Sequence, residues 1–203
     1  MVATMENEAM EKEDGQKDYF EYLQHRSLIG RIYHNQILYP RLCAAFQGKV
    51  LDFGCGIGEF LKFRPDTIGV DINTFNVDYC KSLGLKAELL EENGRVPFEK
   101  DTFSGIVMDN VIEHIPADDV DAVFDEIARV LEAKGTIVAG VPGTKGYHSD
   151  SDHKVFYTED DLIALFDRHG FEVRKSFHMP LPWHFLEQYL SQYCVYVVFQ
   201  ARQ

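Results

Sequence analysis

Three observations predict an α/β protein built on a doubly wound, mostly parallel sheet of seven strands. Short apolar runs alternate with stretches of helical periodicity along most of the chain, which is the pattern of repeated βαβ units. The first of these runs, Val50-Leu51-Asp52-Phe53, passes through the turn Gly54-Cys55-Gly56-Ile57-Gly58 into a helix that begins near Phe60. Polar residues, Asp71 after the second run and Asp109-Asn110 after the fourth, stand at the C-terminal strand ends, where such sheets bind their ligands.

Residues 1–17 are acidic with little to bury and are expected to form a disordered tail, leaving 18–203 as one domain. From Asp18 to Phe46 aromatic and aliphatic residues recur at helical spacing, interrupted near Gly30 and Pro40, so one or two helices precede the sheet. Strand one covers 49–53, and its helix runs from Gly58 to about Phe63, where Pro65-Asp66 breaks it. Strand two covers 67–71, and Asn73 caps a helix that Gly84 closes. Strand three is short, 86–89, and an acidic loop with Asn93-Gly94 and Val96-Pro97 turns leads to strand four at 103–108. Val120, Val123, Phe124, Ile127, Val130 and Leu131 mark an amphipathic helix ended by Lys134-Gly135, followed by strand five at 136–141. Thr158 with Asp161 forms a capping box ahead of Leu162, Leu165 and Phe166, and Gly170 stops that helix. Strands six and seven cover 171–177 and 193–200.

The chemistry concentrates in the glycine turn. Its spacing departs from the dinucleotide fingerprint, Glu59 follows the third glycine, and no Lys-Ser or Lys-Thr supplies a P-loop. Asp52, inside the strand, would repel a pyrophosphate and favour an ammonium or sulfonium. A side chain at these glycines would crowd a ligand approaching the backbone amides. The run Leu51-Asp52-Phe53-Gly54-Cys55-Gly56-Ile57-Gly58 resembles motif I of class I S-adenosylmethionine (SAM)-dependent methyltransferases. That resemblance spans about residues 30–200 and implies SAM as cofactor, an antiparallel last strand, and a cofactor site from Asp52, Gly54, Cys55, Gly56, Asp71, Ile72, Leu89, Asn110 and Val111. Asp71 also suits ribose hydroxyls on its position at the second strand end, with capping of the next helix as the alternative. Helices before strand one commonly cover the SAM pocket in this family, which makes Arg31, Tyr33 and His34 candidate pocket residues, with simple packing of that helix on the sheet as the favoured alternative for any one of them.

The strand-four run Asp109-Asn110-Val111-Ile112-Glu113-His114 lacks the Pro-Pro and Cys patterns of base-methylating enzymes and resembles small-molecule and glycan methyltransferases. In some ubiquinone-pathway O-methyltransferases acidic residues and a His of this motif bind a divalent metal. Asn110 occupies one of those acidic positions, so the expectation is no metal, with Glu113 and His114 packing against the SAM pocket. His114 and His153 are the candidate catalytic residues. A neutral imidazole near working pH can take a hydroxyl proton, and Val155 and Phe156 can anchor the loop that carries His153. His148-Ser149-Asp150-Ser151-Asp152-His153 reads either as a metal loop or as a solvated turn with one useful His. The aromatic connection 179–190, with Trp183 at its centre, either packs on the core or walls an acceptor pocket.

The expected activity is methyl transfer to a hydroxyl of a small molecule or carrier-linked sugar. The alternatives are a SAM-binding protein that acts as a partner, and a small-molecule N-methyltransferase. A formal charge of −13 without a basic block opposes nucleic-acid binding. Four scattered cysteines without a CxxC pair, an acidic N-terminal stretch and no apolar run long enough to span a bilayer point to a cytoplasmic protein without a transmembrane segment.

Overall fold

The computed structural model describes residues 14–24, 27–91 and 94–202. The expected tail lies outside these residues up to position 13, while residues 14–17 already belong to a helical stretch over 14–24. Gln16 holds that stretch down. Its side-chain amide donates to the Ile72 carbonyl at 3.1 Å, and its own carbonyl accepts from Asn73 Nδ2 at 2.7 Å.

Before the sheet come α1 (Leu28–Tyr33), a π-helical turn (His34–Leu38) and α2 (Tyr39–Cys43). Gly30 lies inside α1 without interrupting it. Pro40 sits in the first turn of α2; it has no N–H for a helical bond, and the wider π turn directly before it accommodates the ring. The rest alternates as expected: β1 (Val50–Phe53), α3 (Glu59–Phe63), β2 (Ile68–Asp71), α4 (Thr74–Ser82), β3 (Ala87–Leu89) and β4 (Phe103–Asp109). A 3-10 turn (Ile112–His114), α5 (Val120–Val130), β5 (Leu131–Pro142), α6 (Thr144–Tyr147) and α7 (Glu159–Arg168) follow. Then come β6 (Phe171–Met179), a second 3-10 turn (His184–Gln188) and β7 (Cys194–Ala201).

The seven strands form one sheet in the order β3-β2-β1-β4-β5-β7-β6. The first five are parallel to one another, and β7 runs antiparallel to both β5 and β6. The last strand is thus antiparallel as expected, because the connection from β6 returns at the same sheet end without a crossover helix.

Strand periodicity sorts the core into two layers. Leu51, Ile106, Ile137 and Val197 face α5 and α7, where Phe124, Ile127 and Phe166 complete one cluster. Val50, Val107, Val138 and Val198 face the other way, onto Leu38, Leu42 and Phe60. All four residues of β1 are buried, as a central strand covered on both faces requires. Thr158 and Asp161 form the expected capping box.

Most strand boundaries fall within one or two residues of the sequence expectation, and one differs by five. Helix α5 ends at Val130, and β5 begins at Leu131 instead of Thr136. The Thr102 N–H bonds the Val130 carbonyl at 2.9 Å, and Leu131 pairs with Phe103, so the sheet captures the chain directly after the helix. The register slips before Thr136 meets Gly105, and Lys134 takes a φ of 63° within that irregularity.

Candidate active site

The glycine turn is fastened to β2. The Gly54 and Cys55 N–H groups both donate to the Val70 carbonyl, at 2.8 and 3.0 Å. Gly54 has a φ of 77°, and a Cβ there would lie 2.6 Å from Val111 Cγ2. Glycine is therefore demanded by left-handed backbone and by Val111, a closer reason than the approach of a ligand. The Gly56 N–H is already spoken for: it donates to Asp71 Oδ2 at 2.7 Å. Asp71 Oδ1 accepts from the Asn73 N–H at 2.8 Å, so the carboxylate ties the end of β2 to the turn.

Beyond the C-terminal ends of β1, β4 and β5 opens a cavity of about 520 Å³. Asp52, Gly54, Cys55 and Gly56 line it from the turn, and Asp109 and Asn110 from the end of β4. His114 and His153 line it as well. Tyr33 and His34 line it too, as the family resemblance implied, whereas Arg31 faces a smaller neighbouring cavity of about 410 Å³. Leu23, from the helical stretch over 14–24, comes over Gly56: a Cβ on that glycine would meet Leu23 Cδ1 at 3.3 Å.

The turn end of the cavity is strongly acidic. Burial, then the Asp109 and Asp71 carboxylates, push Asp52 well above the ordinary carboxylate range. A cationic ligand group would relieve that repulsion, whereas an anion would add to it. Asp109 is oriented by two donors on one oxygen, Tyr196 Oη at 2.7 Å and Asn110 Nδ2 at 2.9 Å. Asn110 itself holds a left-handed φ of 55° and accepts from the Cys194 thiol at 3.5 Å.

The histidine end is assembled by backbone. The Lys154 and Val155 N–H groups donate to the Glu113 carbonyl at 2.7 and 3.1 Å, which pins the loop after α6 onto the 3-10 turn after β4. His153 Nδ1 lies 2.7 Å from the Tyr147 carbonyl, and its ring is 4.6 Å from that of His114. Glu113 is fully buried, and neither carboxylate oxygen has a hydrogen-bond partner among the described residues. Burial pushes its carboxyl up to about 8, with Asp109 and Asp150 adding to the effect. Burial and the neighbouring His153 both lower His114, against the pull of Asp150 and Asp152.

Seven of the expected site residues thus come together around one cavity: Asp52, Gly54, Cys55, Gly56, Asn110, His114 and His153. Asp71, Ile72, Leu89 and Val111 stand outside its lining. Val111 packs behind Gly54. Ile72 directly follows β2 and Leu89 ends β3; they are 69% and 42% exposed, beside Asp71, which pairs with Leu89 in register. His148 does not line the cavity. The connection 179–190 leaves Trp183, Phe185 and Tyr189 exposed while Leu186 and Leu190 pack on the core; Ser191 and Gln192, just past it, reach the cavity. The sequence reading missed Tyr196 and Cys194 because both sit in an apolar strand run. The only signal there was a hydroxyl in an otherwise buried strand. Among the described residues no helix is long and apolar enough to cross a membrane.

A family model described as "Methyltransferase domain" matches residues 51–139. An uncharacterized protein of Methanocaldococcus jannaschii is 30% identical over 61% of this chain and 55% of its own length. Sterol 24-C-methyltransferase ERG6B of Gibberella zeae is 32% identical over 43% of this chain and 26% of its own. Methyltransferase GfsG of Streptomyces halstedii is 31% identical over 49% and 40%. The chain thus spans about half or less of the length of these relatives. Among solved structures, a SAM-dependent methyltransferase of Thermotoga maritima aligns with a TM-score of 0.73 at 15% identity, over 92% of this chain and 98% of that one. Another from Archaeoglobus fulgidus aligns at 0.65 and 16%, over 86% and 100%. At such identities these two likenesses speak for the fold alone.

Proposed function

We propose that this chain, whose residues 51–139 match a methyltransferase domain model, is a class I SAM-dependent methyltransferase that transfers a methyl group from SAM to a hydroxyl of a small molecule or sugar. One observation carries the reading: a single cavity joins the acidic glycine-turn end to a histidine end. Asp52 and Asp109 favour the sulfonium and ammonium of SAM, whose charge would offset their mutual repulsion. Asp71, at the end of β2, is placed where ribose hydroxyls would add to the N–H bonds that it accepts from Gly56 and Asn73. Exposed Ile72 and Leu89 offer apolar surface to the adenine at the adjoining strand ends.

The acceptor then lies toward His114 and His153. In-line displacement forms the oxygen–methyl bond as the carbon–sulfur bond breaks, and the acceptor proton leaves toward the histidine end. Holding acceptor oxygen, methyl carbon and sulfur in line is the larger part of what such a site supplies.

The cofactor test is direct. SAM or S-adenosylhomocysteine should be released from the purified chain and detected by mass spectrometry, and titration calorimetry should show SAM binding. Asp71→Ala should weaken that binding by about 1.5–3 kcal/mol, the scale of a hydrogen bond to a charged group. Unchanged affinity in this variant would remove Asp71 from the site. Labelled SAM offered with catechols and sugar nucleotides tests the acceptor class; transfer to carbon or nitrogen acceptors alone would overturn the hydroxyl reading.

A further inference from the structure

The bond between Tyr196 and Asp109 crosses more of the sheet than a contact between neighbouring strands does. In register, Asp109 of β4 pairs with Gly140 of β5, Gly140 with Tyr196 of β7, and Tyr196 with Phe177 of β6. The four residues form one row across four strands, with their side-chain positions on one face of the sheet. Asp109 and Tyr196 are two strands apart, about 9–10 Å of backbone at the usual spacing. Their side chains still meet at 2.7 Å, because the position between them carries no side chain. A Cβ on Gly140 would overlap Tyr196 Cε1 and stand 2.7 Å from Cδ1. Gly140 is not among the glycines with positive φ, so what it supplies is room for the ring. The Tyr196 ring is 2% exposed and stacks on Phe177, with 5.3 Å between centroids and 12° between planes. Packing on both sides therefore decides where the hydroxyl points.

That hydroxyl is a fixed donor. Burial, with Asp109 and Cys194 adding to it, pushes Tyr196 well above the ordinary phenol range, so it keeps its proton. Its bond and that of Asn110 Nδ2, at 2.9 Å, both fall on Asp109 Oδ1. Asp109 Oδ2 accepts no bond among the described residues, and Asp109 lines the cavity. Both donors thus hold one oxygen and leave the other to a ligand. Cys194, two residues earlier on the same face of β7, donates to Asn110 Oδ1 at 3.5 Å. One strand therefore steadies both polar side chains at the end of β4.

We propose that Tyr196 is a positioning residue of the methyl-transfer site: laid across Gly140, it turns the unbonded oxygen of Asp109 toward the positive charge of SAM. The inference rests on the methyl-transfer reading above. Without the hydroxyl, Asp109 keeps one donor, from its own neighbour Asn110, and its carboxyl turns more freely. The attraction between a carboxylate and a cation falls with their separation, so a carboxyl that rotates away binds the cofactor less well. Tyr196→Phe isolates this effect, because the ring that fills the space over Gly140 and stacks on Phe177 stays in place.

The test is a double-mutant cycle on the whole chain, read as the SAM dissociation constant by titration calorimetry. Members of one hydrogen-bond network couple by roughly 2- to 150-fold in an equilibrium constant, so Tyr196→Phe should weaken SAM binding about tenfold. In an Asp109→Asn background the same substitution should change affinity by less than about twofold, since the group it positions has lost its charge. Tyr193→Phe controls for general damage: this buried tyrosine has its hydroxyl 2.7 Å from His178 Nδ1 and does not line the cavity. It should leave SAM affinity within about twofold of the parent. Unchanged affinity in Tyr196→Phe, an equal loss in Tyr193→Phe, or an undiminished loss in the Asp109→Asn background would each overturn the inference. Should Asp109→Asn bind too weakly to titrate, the contrast between Tyr196→Phe and Tyr193→Phe, both with unchanged circular dichroism spectra, decides alone. A parent chain that does not bind SAM overturns the methyl-transfer reading and this inference with it. A parent that binds while Tyr196→Phe matches it overturns the inference only.

Discussion

Replacing Gly54 by alanine tests why the turn is built from glycine. Two costs can be separated at this position. The first is conformational: a φ of 77° places an L-residue in left-handed space, at roughly 1–2 kcal/mol. The second is steric: the new Cβ would stand 2.6 Å from Val111 Cγ2 and 3.1 Å from Cγ1, and overpacking of this kind costs about 1–3 kcal/mol. Gly54→Ala should thus destabilise the chain by about 2–5 kcal/mol, a large share of the roughly 5–15 kcal/mol that stabilises a typical protein. Val111→Ala removes the obstructing methyls and, for two methyl groups at most partly withdrawn from water, should cost no more than about 1.6 kcal/mol. In the double variant the steric cost disappears while the conformational one remains. The double should therefore be more stable than the sum of the singles by about 1–3 kcal/mol. Urea denaturation of the four proteins, metal-free and cofactor-free, measures this coupling. Strictly additive values, within about 0.5 kcal/mol, would refute the contact with Val111 as the reason for glycine.

Three further outcomes are expected. Asp52 has a folded pKa above its unfolded one, so deprotonation favours the unfolded chain, and its stability penalty grows as pH rises from the unfolded value. Asp52→Asn should then stabilise the cofactor-free chain at neutral pH, with the advantage vanishing near pH 4, in denaturation curves taken across pH; an advantage that grew on acidification would contradict the assigned cause. Thr158→Ala removes the hydroxyl that accepts from the Asp161 N–H at 3.2 Å and should cost about 0.5–2 kcal/mol in thermal or chemical unfolding. Trp183 is 56% exposed, so Trp183→Ala should change stability by no more than about 0.5 kcal/mol. If the aromatic connection serves the acceptor, the same variant raises the acceptor KM while the SAM dissociation constant stays within a few-fold; a collapse of SAM affinity would assign the segment to the cofactor instead.

Much of the architecture was legible in the residues themselves. Apolar runs at strand period and helical spacing between them report burial, and burial on both faces is what makes a parallel sheet. Capping at Thr158–Asp161 and the left-handed turn at Gly54 are local chemistry, readable within a few residues. What the spacing could not supply was the partner of each polar atom. Tyr196 lies in an apolar strand, yet strand order brings its hydroxyl to Asp109, 87 positions earlier. Glu113 looks like an ordinary helix-start residue until the Lys154 and Val155 amides bond its carbonyl and carry His153 to its side chain. Asp71 has the right place for a ribose, but only the folded chain reveals that it also ties Gly56 to β2. Periodicity records which face of an element leaves water, because that is decided by each element against the core as a whole. Which two side chains meet at a strand end depends on sheet order, register and loop path, and those are settled by the whole chain packing at once.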